Sequence, residues 1–300
     1  MIKHVPFATG CTVLLALALS SAGCGHSSHV MAPTADAVNA TEAVVLDRGE
    51  VSATSARDGD ESQGHRAQPI YGPTTITQSG DYRLATDLHV DSGDAIVITA
   101  SHVRLWLGEH RLYGPGNKMG RAVVIDGAED VVVRGGRVEH FGFGAVLVNA
   151  SHCRVRDLTI VGGDETADPA NGNPPQIGIM LVNSAKNYLG GNRMQGVNLG
   201  IFVRGGGSYG NLIQRNAVTG GAHGLLAICY NPAPGTDAAG PMKDYVKFNV
   251  LERFGTGISA SAMSTENVFA LNRIRYFNAA YDDKNGTNVF VRNDTRQITP

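Results

Sequence analysis

From Ile70 to the C-terminus, apolar residues alternate with variable ones over short runs, and each run ends in glycine, asparagine or aspartate before alternation resumes. A period of two over a handful of residues is the pattern of strands, not of helices. The runs also resemble one another: Ala122-Val-Val-Ile-Asp126, Gly144-Ala-Val-Leu-Val148, Gly178-Ile-Met-Leu-Val182 and Gly200-Ile-Phe-Val-Arg204. Asp94-Ala-Ile-Val-Ile98 precedes them, and Gly224-Leu-Leu-Ala-Ile228, Gly257-Ile-Ser-Ala-Ser261 and Ala280-Tyr-Asp-Asp-Lys284 follow. Their starts lie 28, 22, 34, 22, 24, 33 and 23 residues apart, a basal unit near 22 with two insertions of about eleven. A unit this short cannot bury its apolar face alone, so successive units must stack. Three short strands per unit, wound as a coil, give an all-β, parallel β-helix of about eight coils.

Two asparagine columns support this register. Asn192, Asn216, Asn249, Asn272 and Asn293 each fall three residues after an apolar residue (Leu189, Ile213, Val246, Phe269, Phe290), and Asn187, Asn211, Asp244, Asn267 and Asn288 fall two before it. Asparagine tolerates turn conformations, and stacked amides hydrogen-bond from coil to coil. On these features residues 70–300 resemble the right-handed parallel β-helix proteins of the pectate-lyase-like superfamily. Ile76-Thr-Gln-Ser-Gly-Asp-Tyr-Arg-Leu84 is similar to their common opening, an N-terminal cap before the first full coils. The resemblance implies an architecture and leaves activity open, because fold does not fix function.

Within each first strand, offsets +1 and +3 from the starting residue are expected inward and +2 and +4 outward. The outward +2 column then reads Val124, Val146, Met180, Phe202, Leu226, Ser259, Asp282, and the +4 column Asp126, Val148, Val182, Arg204, Ile228, Ser261, Lys284. Water gives no reason for the middle of this face to be apolar. Two insertions, Asp164–Ile177 and Asn231–Lys243, flank it in sequence and are placed to rise as walls. The expectation is a ligand groove floored by Val146, Met180, Phe202 and Leu226; the alternatives are a stripe covered by the chain's own insertions or a contact with a second copy, a homodimer.

Polar groups on or beside this floor are the candidate chemistry. Arg204 stands among apolar residues and matches a carboxylate bidentately, or else pairs with an insertion acid such as Asp164, Glu165 or Asp168. Tyr230 is expected at the root of an insertion as a proton donor or acceptor, with packing as its alternative. Asp126, His223, Asp282 and Lys284 complete the candidate substrate-binding set, the last two serving equally as cap residues. His102, Asp130 and His152 occupy equivalent positions on successive coils, followed by Lys186; a ladder of solvated charges explains them more simply than a metal. No metal site or cofactor is assigned, calcium being left open. Motifs of polygalacturonases, mannuronan epimerases and the calcium site of pectate lyases are missing from the sequence.

The N-terminus reads as an export leader. Lys3 and His4 precede an apolar run from Cys11 to Leu19, too short for a membrane span, and then small residues. Ser21-Ala22-Gly23-Cys24 resembles a bacterial lipobox, departing from it at Ser21, which implies a signal peptide over 1–23 and lipid on Cys24; the alternative is an ordinary secretory signal. Residues 24–68, rich in Ser, Ala, Thr, Asp and Gly, form a tether, and 69–300 the domain. Cys153 and Cys229 are then too few for a disulfide framework and are expected as buried thiols. With 38 glycines in 300 residues the chain is rich in tight bends, and a net charge of −2 argues against nucleic acid as the general partner. The function expected is an envelope protein, touching the membrane only through lipid, that binds an acidic polysaccharide on the first-strand face, with its cleavage or epimerisation there left open. A non-catalytic assembly module docking through the apolar stripe, or an apolar small-molecule site, are the alternatives.

Overall fold

The computed structural model describes residues 67–116, 119–163, 176–221, 224–231, 240–284 and 286–299. The expected signal peptide, Cys24 and nearly all of the tether, together with His223 and most of both insertions, lie outside the described residues. Among the described residues there is no helix, and 24 strands join into one sheet in which every strand pairing is parallel. The chain therefore winds, each coil placing three strand segments above those of the coil before it.

The first row contains Thr74–Ile76, Ile96–Ile98, Arg121–Asp126, Phe143–Val148, Ile177–Val182, Leu199–Arg204 and Leu226–Asn231. It ends in the long strands Val250–Ala260 and Arg273–Asp283, which bend at irregular registers and serve both the third row and the first. Equivalent residues stack with little slippage: Met180 pairs with Val146 on one side and Phe202 on the other. Inward residues of all three rows form one core, with Ile179, Leu181, Ile201, Val203 and Ile228 inaccessible to water. Towards the last coils this core becomes aromatic, Phe269 meeting Tyr230 edge-on at 5.5 Å and stacking on Phe290 at 4.9 Å.

Two of the expected register starts are corrected. Ala95, not Asp94, aligns with Ala122, since Ile96 pairs with Val123. Ala227, not Gly224, occupies the position of Gly200, since Ile201 pairs with Ile228 and Val203 with Tyr230. The physical reason is packing in the preceding turn. A Cβ on Gly224 would lie 2.7 Å from the Arg253 carbonyl and 2.9 Å from the Gly220 Cα, so this glycine serves a close approach in the turn. The three-residue shift moves Ile228 and Tyr230 inward and puts Cys229 and Asn231 in the outward columns.

Both asparagine columns are hydrogen-bonded ladders, as expected, buried at every position but the last, Asn293. The Asn216 side-chain oxygen accepts from the Asn192 backbone N–H at 3.1 Å and side-chain amide at 3.0 Å. Its own amide donates to the Leu189 carbonyl at 3.1 Å and to the Asn249 oxygen at 3.0 Å. Asn249 and Asn272 repeat this pattern. Except before Asn288, the residue ahead of a ladder position turns the corner in the left-handed region, as at Lys186, Arg215, Lys243, Phe248 and Glu266. Such φ values are unfavourable for these side chains, and the ladder bonds offset that cost. Replacing Asn216 with Ala strands the Asn192 N–H and the Leu189 carbonyl in the interior, so thermal or denaturant unfolding should show a loss of ~3 kcal/mol, the upper end for an orphaned buried polar group. Unchanged unfolding would overturn this account of the turn.

Candidate functional site

Outward positions of the first row form a second apolar cluster, separate from the core. Val146 and Met180, each 4 % exposed, and Ile177, 2 % exposed, are its buried centre, and Phe143, Val148, Val182, Leu199 and Phe202 pack against them. The structure thus brings Val146, Met180 and Phe202 together as expected, but Val146 and Met180 are not an open floor. The downstream half of the face is more accessible: Phe202, Arg204 and Leu226 are half-buried and Asn231 is exposed. Leu226 pairs with Leu199, so Cys229 rather than Leu226 stands beside Phe202.

Arg204 keeps its expected outward place, between Val182 on one coil and Asn231 on the next. It makes no ion pair among the described residues, and burial lowers its pKa from the ordinary guanidinium value. Tyr230 is a correction. It pairs with Val203, lies 1 % exposed within the core against Phe269, and has no route for exchanging a proton with a ligand. Burial first, and then the Asp244 carboxylate, push its pKa well above the usual tyrosine value, and its hydroxyl has no hydrogen-bond partner of good geometry.

The remaining expected residues do not converge on Arg204. Asp126 is exposed and stands three coils upstream along its column, roughly 14 Å at the usual strand spacing. Asp282 lies three coils downstream of Phe202 and is held 2.8 Å from Lys284. His102 and Asp130 approach within 3.5 Å on successive corners, both largely exposed. Among the described residues no three metal-ligating side chains gather. Cys153 and Cys229 are buried and outside any disulfide, and burial pushes the Cys153 thiol up to about 11.

The second row carries a feature that the pattern of the first strands does not show. There Arg83, Trp106, Arg134 and Arg156 occupy one column on four successive coils. The column beside it carries Asp81, Arg104, Val132 and Arg154 on the same coils. Every one of these arginines stands one position to either side of an inward apolar residue: Tyr82, Leu105, Val133 or Val155. That flanking pattern was the available signal, and it becomes readable once the coils are aligned on their inward positions.

Neither a protein-family model nor a curated protein sequence matches the chain. Solved structures do. The Dettilon tailspike protein aligns over 77 % of this chain and 55 % of its own, at 13 % identity and a TM-score of 0.50. A tailspike of E. coli bacteriophage HK620 in complex with a pentasaccharide aligns over 79 % and 57 %, at 10 % identity and a TM-score of 0.48. A periplasmic alginate epimerase aligns over 76 % and 62 %, at 12 % identity and a TM-score of 0.45. The fold is the right-handed parallel β-helix. This β-helix spans little more than half the length of the tailspike chains that it matches.

The β-helix ladders contain one carboxyl group, Asp244, where the column otherwise carries amides. It accepts from the Asn211 backbone N–H at 2.7 Å and from the Asn211 amide at 3.1 Å. Burial outweighs these bonds and pushes its pKa up to about 7 from an ordinary 3.8. Below about pH 4 folded and unfolded states both hold the proton and the shift has no effect. As pH rises towards about 7 the unfolded chain has lost the proton while the β-helix retains it, so stability falls; above that the penalty is complete and constant. Asp244→Asn should therefore unfold at higher temperature than the parent at pH 8, with the difference shrinking towards pH 4. The opposite trend, or identical melting at both pH values, would show that Asp244 is ionised without cost.

Proposed function

We propose that this β-helix is an exported envelope protein that binds an acidic polysaccharide on the downstream half of its first-row face. One observation carries the reading: Arg204 is a partly desolvated guanidinium with no ion pair among the described residues, at the end of an apolar strip. A guanidinium that has lost part of its hydration has free donors to offer, and an incoming carboxylate supplies two parallel charge-assisted hydrogen bonds. Phe202, half-buried and two residues before Arg204 on the same outward face, offers apolar surface to the C–H face of a sugar ring beside that carboxylate. The leader pattern and Cys24 support export and lipid anchoring of the same chain.

The function proposed is binding. Tyr230, the group expected to move a proton, lies in the core, and no other described residue beside Arg204 takes that role. Docking of a partner through the apolar stripe is the weaker reading, because its centre at Val146 and Met180 is already buried. The test is calorimetric titration with trigalacturonate. Arg204→Ala should weaken binding by about 1.5–3 kcal/mol, the scale of a charged hydrogen bond, with unchanged melting; Arg204→Lys should recover part of it, keeping the charge but not the two-point geometry. Equal affinity in parent and Arg204→Ala would overturn the reading.

A further inference from the structure

We propose that the second-row face between Arg83 and Arg156 is a separate binding strip, for a linear acidic polysaccharide laid along the β-helix axis. It does not depend on the Arg204 site, which lies on another row. Four successive coils each present arginine to this face: Arg83, then Arg104 beside Trp106, then Arg134, then Arg154 with Arg156. Parallel stacking sets their spacing at about 4.8 Å per coil, close to the advance of one pyranose unit in a linear glycan. A polymer with one anionic group per sugar therefore meets a cation at each step.

Charge and exposure fit such a ligand. Arg104 and Arg154 are exposed, and Arg83, Arg134 and Arg156 are half-buried. The facing acids are Asp81, 3.9 Å from Arg104, and Asp157, 3.4 Å from Arg134. These are loose pairs at exposed positions, worth little and readily exchanged for a ligand anion. Arg154 has no ion pair among the described residues, and the Arg83 Nε is buried without a hydrogen-bond partner. Trp106, half-buried between Arg83 and Arg134 in the same column, provides a flat apolar platform for a sugar ring. The strip also has an end: beyond Arg154 and Arg156 the two columns continue as Tyr188 and Gly190. Each strand segment presents only two outward positions, so the cationic surface is narrow across the coil and long along it. That shape suits an extended chain better than a planar anionic lipid surface.

The experiment is affinity electrophoresis of the full chain through native gels containing polygalacturonate, with dextran as the neutral control. Polygalacturonate should retard the parent, dextran should not, and added NaCl should abolish the retardation. The double variant Arg134→Ala/Arg154→Ala should need about tenfold or more polymer for half-retardation, the effect of losing charge-assisted contacts. Trp106→Ala should weaken retardation as well, with melting curves reporting whether each variant folds; if Trp106→Ala does not fold, the arginine pair carries the test alone. The same loss should appear when Arg134→Ala/Arg154→Ala is made in the Arg204→Ala background, where the first-row site no longer contributes, and this separates the strip from that site; a triple variant retarded as much as Arg204→Ala alone also overturns the proposal. Retardation of the double variant equal to the parent overturns the proposal. So does equal retardation by dextran, or binding of single-stranded DNA or phosphatidylglycerol vesicles as tight as that of polygalacturonate.

Discussion

Everything in this molecule depends on one coil seating on the next with backbone hydrogen bonds in a fixed parallel register. A unit of some 22 residues has too little interior to hold itself together. Stacking supplies both the missing core and the partners for backbone polar groups, and it repeats each choice of side chain at a constant step. The asparagine ladders are where this constraint meets the turns. They satisfy backbone N–H and carbonyl groups at corners where no strand continues, and they hold residues such as Phe248 and Leu271 at φ of 57° and 55°. Side chains on the outside inherit the same step, which is why unrelated residues such as Arg83, Trp106 and Arg134 become neighbours.

Much of the fold was legible because the period is short and its inward residues are strongly apolar. The runs beginning at Ala122, Gly144, Gly178 and Gly200 align in space as they do in sequence. The alignment failed at Gly224 because glycine does two jobs in this chain. At Gly178 and Gly200 it is the second residue of a strand, where a Cβ would strike the Met194 sulfur or a Val218 methyl, whereas at Gly224 it packs a turn against Gly220. Alternation alone cannot separate these uses. Ala227-Ile-Cys-Tyr and Gly224-Leu-Leu-Ala both fit a two-residue period, and only the partner strand decides between them.

The candidate site was less legible for the same reason. A slip of three residues turned a core tyrosine into a surface acid–base candidate and sent Leu226 to the wrong column. Arg204, in a run whose start was right, kept its place. The burial of Val146 and Met180 depends on what lies over them, which a strand pattern does not contain. The arginine column of the second row was written in the sequence as residues flanking Tyr82, Leu105, Val133 and Val155, but its two members per strand gain meaning only when three or four coils are superposed.

The ladders also have a direction. From Asn192 through Asn216, Asn249 and Asn272 to Asn293, every side-chain amide donates forward to the next oxygen, so the carboxamide dipoles point the same way and polarise one another. The other ladder begins identically, Asn187 to Asn211 and Asn211 to Asp244, and resumes from Asn267 to Asn288. At Asp244 an ionised carboxylate receives and has nothing to pass on. One relay thus runs unbroken to the last coil, while the other is wired in two lengths joined by a group whose protonation decides whether the current of dipoles is continuous.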